Sequence, residues 1–234
     1  MQDIHCHILP TVDDGASSKE EALRMAQIAV NDGIDTIFCT SHLALSNDAS
    51  EILFSHAAAR EKLELELYLA GIELNLVCGA EIMLDAQMVS FVAKNPLASL
   101  NRSPFFLFEI NPFMALQQIP TVLFSAQLSN LQPIFAHPER CPQVLENMDA
   151  LKEIRNSGAL LQLTAMSLTG GFGKKIQQCA EYIVKTYPED ILIASDAHDS
   201  RHRVPLLSEA YTALERIAPK ARQSAERHIQ QILA

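Results

Sequence analysis

Two short patterns bracket the sequence: His5-Cys6-His7 near its start and Asp196-Ala197-His198 near its end. Side chains two residues apart on a strand share one face, so each pair can present two donors to one cation. Between them stand Asp14 ahead of a glycine, His42 in Thr40-Ser41-His42, Glu81 after Gly79-Ala80, Glu109 after Phe105-Phe106-Leu107-Phe108, and His137 after Pro133-Ile134-Phe135-Ala136. A single such histidine is more often a solvated or internally satisfied residue. His-x-His and Asp-x-His at opposite ends of one chain are much rarer by accident. Glu81 and Glu109 each close an apolar run, and a partly buried carboxylate there needs a cation or a proton beside it. The nine nitrogen and oxygen donors suit Mn, Fe, Zn or Mg.

Elements of a definite kind must bring these residues together. Strand-length apolar runs fall at roughly 2–6, 34–40, 73–80, 104–110, 132–137, 159–164 and 190–195. Helical periodicity fills roughly 18–32, 50–70, 85–93, 117–131, 142–157, 173–187 and 205–217, with an appended helix near 220–233. Ser17 and Ser18 precede Glu20 and Glu21 at capping-box spacing, and Gly33 stands where that helix should stop. Seven strand–helix units predict parallel strands with right-handed crossovers. Six of the seven strand ends carry His, Asp or Glu; the sixth strand ends in Thr164. An open sheet would spread those ends along a line at about 4.8 Å per strand, whereas a barrel gathers them into one mouth. The expected fold is therefore an α/β barrel of seven strands forming a single domain over residues 1–234.

In these residues the chain resembles the polymerase-and-histidinol-phosphatase (PHP) superfamily of metallo-phosphoesterases. Within it, the similarity is to the bacterial tyrosine-protein phosphatases of capsule and exopolysaccharide operons. It rests on Asp3 to Pro10, Asp13-Asp14-Gly15, Thr40-Ser41-His42, Gly79 to Ile82, Ala136-His137-Pro138-Glu139-Arg140, Leu163 to Gly170 and Ser195 to His198, in the family's order. The resemblance implies a distorted seven-stranded TIM-like (β/α)7 barrel of the PHP type holding three divalent ions, with Mn the family habit. It implies that His5, His7, Glu81 and Asp196 surround one ion, that Glu81 bridges to a second completed by Glu109 and His137, and that Asp14, His42 and His198 hold the third. It places the family's phosphate-binding arginines at Arg140 and Arg203. One departure is that Leu43 and Ala44 follow His42, where many relatives have basic residues.

The implied activity is hydrolysis of phosphotyrosine on a protein, with the tail of a cognate bacterial tyrosine kinase controlling capsule synthesis as substrate. Competing readings are a histidinol-phosphate or other small-molecule phosphatase, and a non-catalytic regulatory module of the superfamily. The formal net charge of −10 argues against nucleic acid or an anionic bilayer as partner. The five cysteines are odd in number and widely spaced, without a C-x-x-C pair or the C-x5-R loop of cysteine-dependent phosphatases, which points to reduced thiols in a cytoplasm. Neither a signal peptide nor a membrane-spanning run is evident. His56, His202 and His228 read as surface residues, and Gly170-Gly171-Phe172-Gly173 as a turn entering a helix. An alternative for Arg140 is a surface ion pair with Glu139, and for Arg203 a solvated loop with Arg201.

Overall fold

The computed structural model describes residues 1–111 and 116–234. Strands and helices alternate as β1 (Gln2–Cys6), α1 (Lys19–Asn31), β2 (Thr36–Cys39), β3 (His42–Leu43), α2 (Ala49–Ala70), β4 (Asn75–Cys78), β5 (Glu81–Met83), α3 (Met88–Lys94) and β6 (Phe105–Glu109). They continue as α4 (Ile119–Leu128), β7 (Gln132–Ala136), α5 (Pro142–Glu146), α6 (Ala150–Asn156), β8 (Leu160–Thr164), α7 (Ala165–Thr169), α8 (Lys174–Thr186), β9 (Ile191–Ala194), α9 (Ser208–Ile217) and α10 (Pro219–Leu233). Among the described residues every strand pairing is parallel, as the strand–helix alternation requires.

The ladders do not close into the expected ring of seven strands. They form a three-stranded sheet, β1-β2-β4, and a six-stranded sheet, β3-β5-β6-β7-β8-β9. The cause lies in the second and third apolar runs, each of which breaks and changes sheet. Cys39 pairs with Cys78 in the small sheet; the chains then step across Thr40-Ser41 and Gly79-Ala80, and His42 pairs with Glu81 in the large one. At the other seam β1 and β9 share a bridge, Cys6 to Ala197, flanked by His7 N donating to Ala197 O (2.9 Å) and Asp196 N to His5 O (2.8 Å).

The strands' period of two sorts the core. Phe106, Phe108, Phe135, Leu161 and Leu163 belong to a large cluster shared with the helices. Leu107, Ile134, Leu160 and Leu192 belong to a second cluster with Ile4 and Phe38. Glu109 shares a face with Leu107, and Gln162 with Leu160, so the second cluster underlies the polar strand ends. Ile229 and Ile232 of α10 are buried in it, so this helix closes the core rather than being merely appended.

Other departures are local. The helix expected over 142–157 is two, because Asn147 leaves helical geometry (φ −145°, ψ 89°) and its Oδ1 accepts the Asp149 N–H. The short α7 directly after β8 was not anticipated. His56 is buried in α2 rather than at the surface. His202 is solvated, whereas the His228 Nε2 lies 3.0 Å from Glu189 O.

The loop after β1 is pressed onto the strand. Ala16 N donates to His7 O at 3.0 Å, and a Cβ on Gly15 would fall 2.1 Å from that same oxygen. Only glycine allows this approach. Gly15→Ala is expected to cost about 3 kcal/mol in chemical denaturation, and to reduce bound metal, because the loop that must shift carries Asp13 and Asp14.

Candidate metal centre

Strand ends, together with the loop after β1 that carries Asp14, deliver the nine donors to one place. Among the described residues, three groups have ligand atoms within 4.8 Å of one another: His5, His7 and Glu81; His42, Glu81 and Glu109; and His7, Asp14, His42 and His198. Asp196 Oδ1 lies 3.4 Å from His5 Nε2 and 3.6 Å from His7 Nε2. His137 Nε2 lies 2.7 Å from Glu81 Oε1. His42 Nδ1 lies 3.0 Å from Glu81 Oε2 and 2.9 Å from Glu109 Oε1, while its Nε2 faces Asp14 at 3.4 Å. The nine residues thus form one continuous cluster, with Glu81 at the centre.

Hydrogen bonds fix which imidazole nitrogen is free. Gln162 Oε1 accepts from His5 Nδ1 (2.8 Å), Asp13 Oδ2 from His7 Nδ1 (2.8 Å), and the Asp196 carbonyl from His198 Nδ1 (3.1 Å). With Nδ1 carrying the proton, each Nε2 presents a lone pair. His5 Nε2 and His7 Nε2 stand 3.1 Å apart, lone pair to lone pair, so a proton or a cation must come between them. Glu81 Oε2 and Asp196 Oδ1 are buried without a hydrogen bond, as is His42 Nδ1. Orphaned carboxylate oxygens beside unprotonated ring nitrogens fit a divalent cation.

The electrostatics show what replaces the cation when none is bound. Burial alone would depress His7 and His42. The carboxylates of Asp13 and Glu81 instead raise His7 to about 9, and those of Glu109 and Glu81 raise His42 to about 11. His198 is pushed down to about 4 by burial and by the neighbouring His7. Burial would raise Glu81 and Asp196, but His5 and its neighbours hold both well below the usual carboxylate range.

Two of the nine cluster positions use backbone that side chains rarely adopt. His137 and Asp196 have φ of +38° and +51°. Such conformations cost about 1–3 kcal/mol each. They are held by His137 N donating to Gln162 O (2.8 Å) and by the seam bond from Asp196 N.

The arginines lie at the edge of this cluster. Arg140 Nη2 and Arg203 Nη2 each stand 2.6 Å from Asp196 Oδ2. Arg203 Nε is buried without a hydrogen bond. Arg140 is therefore not paired with Glu139 at the surface. Glu139 is fully buried, and its Oε1 accepts from Thr164 N (2.9 Å) and Ser167 Oγ (2.6 Å), tying the His137–Arg140 turn to β8 and α7. Leu43, which follows His42, is buried and pairs with Ile82.

Sequence reasoning missed four supporting residues. Gln162 supplies what the sixth strand lacked, and its signal was a lone amide inside Leu160-Leu161-Gln162-Leu163. Asp13 was visible beside Asp14, but only its contacts to His7 Nδ1, Gly15 N and His42 N distinguish the two. Asp3 accepts from Ser195 N and Oγ, and burial raises it to about 6. Glu139 had no sequence signal beyond its place between His137 and Arg140.

Parallel strands ending in a cluster of imidazoles and carboxylates define an α/β protein of the kind that holds divalent metal. The chain belongs to the family described as capsular polysaccharide synthesis, CpsB/CapC, which it matches over residues 1–230. It is 36% identical over 217 residues to the tyrosine-protein phosphatase YwqE of Bacillus subtilis, covering 92% of this chain and 84% of that one. It is 28% identical over 231 residues to the tyrosine-protein phosphatase CpsB of Streptococcus agalactiae, covering 95% and 93%. A solved structure of the metal-dependent tyrosine phosphatases YwqE of B. subtilis and CpsB of Streptococcus pneumoniae superposes with a TM-score of 0.89 at 30% identity, over 100% of this chain and 94% of that one. A histidinol phosphate phosphatase from Lactococcus lactis superposes with a TM-score of 0.55 at 15% identity, over 97% and 92%, a likeness of fold alone.

Two outcomes are expected. Gln162→Leu removes the acceptor at His5 Nδ1 and should lower metal affinity by about 10–100-fold without unfolding the chain, measured by competition with a chelating dye alongside thermal melting. With His7 and His42 raised above neutrality in the metal-free protein, metal binding there should release protons near pH 7, seen by calorimetry in buffers of different ionisation enthalpy. The stability these raised histidines lend the metal-free chain is fully present below their ordinary 6.5 and is lost as pH rises through about 9 and 11. Metal affinity runs the other way, rising over the same interval.

Proposed function

We propose that this chain is a metal-dependent protein-tyrosine phosphatase acting in capsule or exopolysaccharide synthesis. The observation that carries this reading is the joint presence of all nine donors in one cluster and membership of the CpsB/CapC family. His5, His7, Asp14, His42, Glu81, Glu109, His137, Asp196 and His198 are assigned to three divalent ions, Mn by family habit, in a distorted, incompletely hydrogen-bonded (β/α)7 barrel within one domain spanning 1–234. The substrate is assigned as phosphotyrosine on the tail of a cognate bacterial tyrosine kinase, met in the cytoplasm. In support, no described helix is long and apolar enough to cross a membrane.

Divalent ions at this cluster would acidify water and screen the charge of phosphoryl oxygens. Four carboxylates against three divalent ions leave about +2, which favours a phosphate monoester dianion despite the acidic surface. The chain's own residues do the rest. Arg140 and Arg203 bind the non-bridging oxygens; the unpartnered Arg203 Nε–H is one donor available for this. Asp13, Gln162 and the Asp196 carbonyl keep three imidazoles turned with Nε2 inward. Glu139 holds the turn that carries both His137 and Arg140. No thiol takes part in this reading. Cys6, between two ligands, is fully buried, and burial together with the nearby Asp3 carboxylate pushes its thiol well above the ordinary value.

The direct test is turnover of a phosphotyrosine peptide against histidinol phosphate. The peptide should be preferred, chelation should abolish activity, and His5→Ala or Asp196→Ala should do the same. Cys6→Ser should retain substantial activity. Its complete loss with metal content preserved would refute the mechanism, and preference for histidinol phosphate would refute the substrate.

The arginines have a separate test. Arg140→Ala should leave metal content intact and lower kcat/KM on the order of 10²-fold, about 2.7 kcal/mol. Arg140→Lys should recover only part of this, because an ammonium lacks the planar fork.

A further inference from the structure

We propose that the cavity beside the donor cluster is a subsite for an aromatic leaving group, and that Phe172 is its specificity-determining wall. The proposal rests on the phosphatase reading above and adds to it a place for the ring. A cavity of about 420 Å³ opens against Glu109 and His137 and is lined further by Met83, Ile110, Phe135, Arg140 and Phe172. Its lining sets metal-type donors and a guanidinium beside hydrocarbon from Met83, Ile110, Phe135 and Phe172. That pairing matches a molecule that is anionic at one end and aromatic at the other, such as an aryl phosphate monoester. The size is that of a small-ligand pocket, so a phenyl ring leaves room for the chain that carries it.

Phe172 is in this position for a reason that core packing does not supply. It is half-buried and belongs to neither apolar cluster. The turn that presents it is tightly built. Gly171 N donates to Met166 O (2.8 Å) and Gly173 N to Gly170 O (2.9 Å). A Cβ on Gly171 would lie 2.7 Å from Met166 Cε and 3.3 Å from its Cβ, so the turn sits close against α7. The ring then lies under the Arg140 guanidinium, 5.2 Å from its centroid. Arg140 also pairs with Asp196, so one side chain joins the aromatic wall to the phosphate-binding edge. A phosphate monoester whose ester oxygen bears an aryl ring would place that ring against Phe172 while its phosphoryl oxygens meet Arg140. An alkyl phosphate has nothing to fill this space.

The test uses two non-hydrolysable ligands, phenylphosphonate and methylphosphonate, against the metal-loaded protein. The wild type should bind the phenyl compound tighter by about tenfold or more, since apolar contact of this size discriminates at that level. Phe172→Ala should collapse the ratio of the two dissociation constants, measured by calorimetry, towards one, with metal content checked by elemental analysis. Phe172→Leu, which keeps apolar bulk, should retain part of it. A wild type with no preference, or a Phe172→Ala variant with an unchanged ratio, would overturn the proposal. So would equal weakening of both compounds, which would make Phe172 only a support for Arg140. The phosphatase reading fails differently, by absence of phosphotyrosine turnover in a wild type that still prefers phenylphosphonate.

Discussion

Two carboxylates, Glu81 and Asp196, stand about 1% exposed within the donor cluster, and the surrounding structure answers to them. Taking such a charge out of water costs several kcal/mol even after relaxation, so it persists only with countercharge and hydrogen bonds close by. Five imidazoles and two guanidinium groups supply the first of these. Yet Glu81 Oε2 and Asp196 Oδ1 remain without hydrogen bonds, although the histidine nitrogens stand within about 3.0–3.7 Å. Polar groups packed for their own mutual satisfaction would not leave these two oxygens orphaned. Groups arranged around cations would.

That requirement accounts for the irregular architecture. Two continuous strands in place of β2–β3 and β4–β5 would keep one sheet pairing throughout. The register is the same on both sides of the breaks at Thr40-Ser41 and Gly79-Ala80, Cys39 against Cys78 and His42 against Glu81; what changes is the further neighbour, for β5 goes on to pair with β6 and sets Glu81 beside the strand that ends in Glu109. The seam between β1 and β9 is likewise reduced to a bridge where His5, His7 and Asp196 converge. Left-handed backbone at His137 and Asp196 is a further local cost, set against the hydrophobic clusters that hold the strands beneath. Regular pairing yields at the carboxyl ends of the strands and persists below them.

The donors were legible in the sequence because chemistry fixes their type and strand ends fix their place. His-x-His and Asp-x-His announce themselves, and a glutamate after Phe-Phe-Leu-Phe is conspicuous. The parallel alternation was legible for the same reason, since strand and helix periods differ. The break in the ladders was not, because the apolar runs over 34–40 and 73–80 continue up to the residues where the sheets change. Gln162 and Glu139 were not, because their importance depends on which residues lie opposite once the strands have paired. Both are polar groups that sequence assigns to solvent or to a nearest neighbour. His56 failed similarly: one polar residue on a long, largely exposed helix gives no sign that α2 turns that face inward.

The choice of donors also bears on how a protein of net charge −10 can attract a dianion. Thiolates would have added negative charge to the centre and bound soft cations. Imidazoles add none when neutral, so bound divalent ions would offset the carboxylates of the cluster while the surface stays acidic. His7 and His42, drawn upward by the neighbouring carboxylates, favour a proton when cations are absent, while His198, buried and beside His7, is displaced downward. Protons and cations are thus alternative occupants of one set of lone pairs. The supporting acceptors Asp13 and Gln162 decide which nitrogen faces inward in either state. Arg140 and Arg203 stand on the other oxygen of Asp196, each with Nη2 2.6 Å from Oδ2, and so leave Oδ1 to the imidazoles and whatever lies between them.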